Sequence, residues 1–455
     1  MDAQGLVSNR GRSSFRDIRL PGSLALFLLA NAVMNLVLTA YQETTVLDFT
    51  RKYLTGRLPS GGDSWSPMAM ALDYLHTIGG SGLYQRVFFE DKIKFIYAPT
   101  SLLFLAPVKA LHPTNLLGVM NAVAWLAVGL SAIFLYAILR HSATTIVHPE
   151  HLSGQKSALL LLTALTSTFT FYPIVKSWDL GQAQTFINLL AMVGLFAYIR
   201  GRNSISGIAI GLSCLLKPQF TLFVLWAFLR RDWRFLIGLT TVIGLGLTFS
   251  VMSYGLPNHV EYLRVLSFIS QHGEAFYPNQ SINGLLNRAL FNGDSLNWSP
   301  NIYPPYNHYV YVGTMISSAI LVGSALFVTA RRSIAELGAA PLDFSIAMLC
   351  FTAASPIAWE HHYGVLLPFY AVTLLLAVRL KRSIALPALG CLAISYLLTS
   401  NFLQVTLSVG RSSFNLLLSY LLFGALLLLG CMVVIRHNIT RETFDVRRGS
   451  GDTDD

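Results

Sequence analysis

The chain alternates long apolar runs with short polar breaks, and the length of the runs sets the first expectation. A hydrocarbon core about 30 Å thick is crossed by roughly 17 to 25 predominantly apolar residues in helical form. Runs of that kind lie at 22–41, 115–139, 157–173, 181–199, 235–253, 309–330, 342–356, 363–378, 384–400 and 414–435. Two shorter ones, 205–216 and 219–229, meet at Lys217 and Pro218, which suggests a hairpin. A further stretch, 95–111, is broken by Pro99, Pro107 and Lys109 and reads as a re-entrant or interfacial piece. The first run follows Arg10, Arg12, Arg16 and Arg19 as a signal peptide would. It is longer than a usual signal core and has no small-residue cleavage pattern, so it is expected to be a retained helix.

Basic residues divide the ends of these runs into two sets. Clusters stand at Arg140 with Lys156, Arg200 with Arg202, Arg230 to Arg234, Arg331 with Arg332, Arg379 to Arg382, and Arg436 to Arg448. The positive-inside rule places them all in the cytoplasm. That requires an even number of crossings between clusters, which twelve spans satisfy, with both termini inside. Composition agrees. Only 12% of the 455 residues are charged and 53% are hydrophobic, against about 25% charged in a soluble domain. Soluble, disordered, collagenous and coiled-coil classes are excluded. The net charge of +10 is then a consequence of topology, and no nucleic-acid partner is expected. Four cysteines, Cys214, Cys350, Cys391 and Cys431, stand singly in apolar runs. They read as core thiols, neither disulfides nor a metal framework.

The expected division is a cytoplasmic segment 1–19, a membrane unit 20–435 and a cytoplasmic tail 436–455. Within the unit, loops 42–94 and 254–308 lie outside, long enough to be functional. Met68, Ala71, Leu72, Leu75 and Ile78 recur at helical spacing, predicting an interfacial helix. Ser281 is a candidate cap for a helix whose apolar face is Ile282, Leu285, Leu286, Ala289 and Leu290 and whose polar face is solvated.

Polar residues beside spans are costly and therefore candidates for function. Five clusters fall on the outer side. In VLDFTRKYLTGR, Asp48 is a candidate general base or simply the partner of Arg51 or Lys52. In WDLGQAQTF, Gln182 and Gln184 can bind sugar hydroxyls, or Asp179 can cap a helix with the amides facing other helices. In LLKPQF, Lys217 and Gln219 sit at broken backbone, where the lysine either meets an anion or snorkels. YPNQSINGLLNRALF offers Gln280, Asn283, Asn287 and Arg288. SPIAWEHHYG offers Glu360, His361 and His362, which suit a phosphate, a leaving group or, with further ligands, a metal. No nucleotide-binding or common hydrolase motif accompanies them.

In this order, a DF pair after the first span, GQ before a span, KPQ at a hairpin, NQS-x-x-G-L-x-x-R in a late loop and SP-x-x-W-x-HH, the motifs resemble glycosyltransferase family 87 over about residues 20–380. The resemblance implies an all-α polytopic membrane protein of the C-type glycosyltransferase fold, with about 12 transmembrane helices and two structured outer loops. It implies an inverting hexosyltransferase, mannosyltransferase-like, that moves a sugar from a polyprenyl-phosphate donor to a lipid or glycan acceptor hydroxyl. The site would face outward from a bacterial cell membrane; no ligand set for a divalent ion is evident beyond Asp48, Glu360 and the histidine pair, so no metal or cofactor is expected. Asp48 would be the base. The resemblance puts His361 or His362 near the donor phosphate; by their own chemistry Lys217 and Arg288 are expected there with both histidines, and Gln182, Gln219, Gln280, Asn283 and Glu360 at the sugar and acceptor. The loop 58–94 is longer than is usual for the family and contains SGGDSWSP, which leaves the acceptor open. A flippase or transporter, which would spread polar groups along a path, and a surface-glycan polymerase or ligase are the competing classes.

Overall fold

In the computed structural model, residues 3–59, 61–77, 79–147, 153–299, 302–330 and 338–451 are described. Each apolar run becomes a helix, and the polar breaks become turns. The first helix, α1 (Ala3–Tyr41), begins well before the apolar run. The segment between α1 and the next long helix carries α2 (Val46–Leu54), α3 (Trp65–Thr77) and, after a 3-10 turn at Pro99–Ser101, α4 (Leu102–Ala110). Then come α5 (Leu116–Ser142), α6 (Gly154–Phe169), α7 (Tyr172–Asp179), α8 (Gln184–Ile199), α9 (Asn203–Leu216) and α10 (Leu222–Leu229). The chain continues with α11 (Trp233–Tyr254), α12 (Leu256–His272), α13 (Ile282–Ala289), α14 (His308–Thr329) and α15 (Ala340–Ala353). It ends with α16 (Leu366–Arg379), α17 (Arg382–Ser400) and α18 (Tyr420–Gly451). Among the described residues there is no strand, only an isolated bridge between Asn279 and Trp359.

Among the described residues, seven helical stretches are long and apolar enough to cross a membrane. The pair α6 and α7, bent by 50°, makes an eighth if it is one span. Four shorter apolar helices, including the hairpin pair α9 and α10, accompany them. Residues Arg331 and Arg332, Ile78 and the tail beyond Gly451 lie outside the described residues.

Every residue of α16 from Leu366 to Val378 is buried, so this helix is the axis around which the others pack. It contacts α1, α5, α15, α17 and α18. By contrast α1, α11 and α14 expose leucine, isoleucine and phenylalanine side chains such as Leu36, Phe249 and Ile320, as lipid-facing helices do. The hairpin α9–α10 is held to α11 by small residues. A Cβ on Gly207 would stand 2.1 Å from the Phe235 carbonyl oxygen, and one on Gly238 would stand 2.3 Å from that of Ser204. Only glycine allows backbones this close, the device membrane helices use where burial of apolar surface offers no gain.

One end of the bundle is tied by charge. Asp343 of α15 accepts from Arg230, at the end of α10, at 2.8 Å and from Arg436 of α18 at 2.5 Å, and Arg230 also donates to the Thr329 carbonyl. All three ionic groups are shielded from water there, an arrangement tolerated because each cation has its carboxylate oxygen.

Two expectations are overturned. Helix α13 is capped as predicted, with Ser281 Oγ accepting from Gly284 N–H at 3.1 Å, but its faces are reversed. Asn283, Asn287 and Arg288 are buried, whereas Ala289 and Leu290 are exposed. The polar face finds loop carbonyls and side chains inside, while Ile282, Leu285 and Leu286 are half-buried. Asp179 does not cap α8, which starts at Gln184. It ends α7 and pairs with Lys52 at 2.9 Å.

Candidate active site

A cavity of about 710 Å³ opens at the α9–α10 break, opposite the Asp343 tie. Its long wall is apolar, built by Leu266 and Ile269 of α12 and Met315, Ala319 and Val322 of α14. Leu266 and Met315 are themselves exposed, so the trough opens sideways between these helices. Its polar end is made by Lys217, Gln219, Gln182, Ser355, Trp359 and His362. Polar side chains from three sequence clusters therefore share one chamber.

Each is aimed by its neighbours. Pro218 ends α9 and frees the backbone at Lys217, whose Nζ donates to Gln184 Oε1 at 2.7 Å. Among the described residues no carboxylate pairs with this ammonium, so its charge is left to face the chamber. Gln182 is buried at the α7–α8 turn, accepting from Ser64 Oγ at 2.8 Å and Tyr97 Oη at 3.1 Å. Its Nε2 donates to Asp63 Oδ2 at 3.4 Å. Gln219 reaches the Phe351 carbonyl at 3.5 Å. The Trp359 backbone N–H donates to His362 Nδ1 at 3.2 Å. An imidazole that accepts at Nδ1 carries its proton on Nε2 when neutral, so His362 presents a donor, not a base.

The 3-10 turn Glu360–Val365 at the head of α16 has a further property. Glu360 Oε2 accepts from Tyr172 Oη at 2.9 Å, but Glu360 Oε1, Trp359 Nε1 and His361 Nε2 are buried and have no hydrogen-bond partner among the described residues. Buried polar atoms are almost always paired. These orphans stand on consecutive residues at the head of α16; of the three, Trp359 lines the cavity, while Glu360 and His361 lie behind its wall.

The remaining expected residues stand behind this turn. Gln280 spends its amide on the Tyr277 and Leu418 carbonyls and accepts from Leu422 N–H, and Tyr363 Oη donates to the Gln280 carbonyl at 2.6 Å. Asn283 bonds Thr314, Asn287 and the Glu274 N–H. Arg288 donates to the carbonyls of Ala275, Phe276 and Asn279 and to Ser419 Oγ, the last at 2.8 Å. Reciprocal bonds from Gln280 N–H to Ala358 and from Glu360 N–H to Pro278, both 2.8 Å, staple the second outer loop to the histidine turn. Gln280, Asn283 and Arg288 thus buttress the chamber without lining it.

Asp48 also lies off the chamber wall. It occupies the third position of α2, where its Oδ2 accepts from Thr45 N–H at 2.8 Å. Two residues that sequence reasoning passed over lie closer. The first is Asp63, in the SGGDSWSP stretch. Its N–H donates to the Leu180 carbonyl at 3.0 Å and that of Ser64 to Gly181 at 3.2 Å, a pairing that brings the first outer loop onto the α7–α8 turn. A Cβ on Gly181 would stand 2.3 Å from the Gly61 carbonyl oxygen, and Gly181 has φ +65°, so glycine is required twice over. Although Asp63 keeps an exposed edge, burial raises its pKa above the ordinary carboxylate range, with the Gln182 hydrogen bond and the charge of Lys176 opposing. The second is Lys176 of α7, whose Nζ lies 4.8 Å from the Phe49 ring centre and whose charge is felt by Asp63. Nothing in the spacing of either residue marks it, because both reach the site by contacts between segments more than a hundred residues apart.

Residues 95–356 match the model of glycosyltransferase family 87. The chain belongs to this family. No curated protein and no solved structure matches it. The family 87 match takes in Gln182, Lys217, Gln219, Gln280, Asn283 and Arg288, and ends before Glu360, His361 and His362. Membership makes the chain a glycosyltransferase, with a sugar donor and an acceptor as substrates, on a helical scaffold fit to cross a membrane.

Proposed function

We propose that the protein transfers a hexosyl group, mannose first among candidates, from a polyprenyl phosphate to an acceptor hydroxyl on the outer face of a bacterial cell membrane, inverting the anomeric carbon. The observation that carries this reading is the shape of the chamber: an apolar trough open toward lipid that ends at an ammonium without a carboxylate partner. A nucleotide sugar has no use for such a trough, whereas a lipid phosphate needs both parts.

In this reading the prenyl chain lies between α12 and α14 and its phosphate meets Lys217 Nζ and His362 Nε2–H. The acceptor oxygen attacks the anomeric carbon as the bond to the phosphate oxygen breaks. Negative charge gathers on the leaving phosphate, where donors fixed in a water-poor site stabilise it most. Trp359, on the chamber wall, completes its hydrogen bond on the sugar with Glu360 and His361 behind it, and Gln182 and Gln219 orient it. A carboxylate takes the acceptor proton. Asp63, bonded to a chamber residue, is favoured by position, and Asp48 is the other candidate. Arg288, Gln280 and Asn283 hold the turn that carries the histidines.

The same reading takes the seven long helices, the bent pair and the four short ones as twelve passes, with residues 1–19 and 436–455 in the cytoplasm and 20–435 as the transferase unit. It is supported by the basic turns at Arg200–Arg202, Arg230–Arg234 and Arg379–Arg382. The test is purified protein in nanodiscs, given mannosyl phosphoryl polyprenol and a panel of glycolipid acceptors. Release of polyprenyl phosphate with acceptor labelling is expected. Labelling from nucleotide sugars alone would sink the proposal.

A further inference from the structure

A second cavity, about 250 Å³, lies between the two outer loops and plays no part in the chemistry above. Its walls are rings. Phe268 packs edge-on against Phe88 and Phe89 at 5.8 Å and Tyr303 at 5.1 Å, while His272 stacks on it at 4.4 Å. Beneath them Lys94 and Glu274 form a shielded ion pair at 2.8 Å, with the Lys94 ammonium 4.7 Å from the Tyr303 ring centre. Lys92 stands exposed at the rim.

Three features specify a ligand. The Tyr303 hydroxyl is buried and has no hydrogen-bond partner among the described residues. His272 Nδ1 lies 2.8 Å from the Pro304 carbonyl oxygen, which can only accept, so Nδ1 carries a proton and Nε2 is left to meet a ligand. The volume falls below the 300 Å³ or so at which drug-sized pockets begin, too small for a lipid chain and suited to one ring. Aromatic faces carry negative charge density, which attracts the C–H face of a pyranose, while a hydroxyl, an imidazole nitrogen and an ammonium suit its O–H edge.

The two cavities share a partition. Ile93 and Lys94 face the smaller and Ile96 and Tyr97 the larger, just as α12 gives Phe268 to one and Ile269 to the other. We propose that the smaller cavity binds a sugar residue of the acceptor, which makes the acceptor a saccharide. This rests on the transferase reading for its role and on the cavity alone for its ligand.

The test uses the full chain in nanodiscs and saturation-transfer NMR with methyl α-mannopyranoside, α-glucopyranoside and α-galactopyranoside as probes. At least one glycoside is expected to bind. Tyr303→Phe, which keeps the ring, weakens it about fivefold, the worth of one ordinary hydrogen bond. Phe268→Leu weakens it further, and Lys217→Gln leaves it unchanged. No binding by any of the three, or wild-type binding in both Tyr303→Phe and Phe268→Leu, overturns the proposal. Polyprenyl phosphate binding measured alongside separates the two readings. If Lys217→Gln holds the lipid phosphate as wild type does while the glycoside still responds to Tyr303→Phe, the donor assignment fails and the saccharide site stands.

Discussion

Replacing Lys217 by glutamine tests the donor chamber most directly. The substitution keeps a polar chain of similar reach and removes one charge. Two unit charges about 4 Å apart attract by about 4 kcal/mol at an effective dielectric constant near 20. Part of this is lost to stripping water from the phosphate. The half-buried lysine, held among the described residues only by the Gln184 amide, has already lost part of its own water, so the donor removes the rest. Hydrogen bonds to charged groups contribute about 1.5 to 3 kcal/mol net, so about 2 to 3 kcal/mol is the expected loss. That corresponds to a roughly 30- to 150-fold fall in kcat/KM for donor. Because charge on the phosphate grows as the glycosidic bond breaks, kcat falls along with the rise in KM. The assay is transfer from radiolabelled mannosyl phosphoryl polyprenol in nanodiscs at varied donor concentration, with thermal melting as the control for folding. A folded Lys217→Gln protein within threefold of wild type in both kcat and KM would refute the reasoning.

Further outcomes follow from other contacts. Asp63→Asn is expected to lower transfer at least about 100-fold, the usual range for a lost general base, while Asp48→Asn stays within about tenfold; the reverse ranking would return the role to Asp48. Since burial raises the Asp63 pKa, and a base works only when deprotonated, activity falls on acidification at a pH above the ordinary carboxylate range, and this limb disappears from the residual activity of Asp63→Asn. Trp359→Phe removes an N–H that has no partner in the protein; the melting temperature is expected to hold or rise while transfer drops at least fivefold, and a matching loss of stability would contradict an orphan waiting for substrate. Asp343→Asn leaves the shielded Arg230 without its carboxylate and should destabilise by about 3 to 5 kcal/mol, visible as a lowered melting point in detergent. In a cysteine-free background, single cysteines at Trp298 and Arg411 should react with an impermeant maleimide from outside and one at Lys381 should not; the opposite pattern would reverse the proposed orientation.

Much of the scaffold was legible because membrane burial leaves a coarse signal: apolar length alone located most of the helices, and Lys217 with Pro218 marked the hairpin apex. The site was legible only in part. Gln182, Lys217, Gln219 and His362 do meet in one chamber, but residue type could not separate a wall from its support, so Gln280, Asn283 and Arg288 were expected at the substrate and instead brace the loop behind it. For α13 the helical period distinguishes two faces without saying which is inside, and the polar face is the one that finds partners within the protein. Asp63 and Lys176 escaped because their place depends on pairing between residues 61–64 and 180–183, and no local pattern announces a long-range contact.

The axial position of α16 has a bearing on how the protein is made. A helix with protein on every side, polar at its head and followed by Arg379, Lys381 and Arg382, leaves the ribosome before α17 and α18, which supply part of its wrapping. Until they arrive it meets lipid or the insertion machinery with surfaces shaped for neighbours. The wrapping of α16 is therefore finished only by the last two helices, whereas the histidine turn at its head packs on α7, α8 and α15, which are all made earlier.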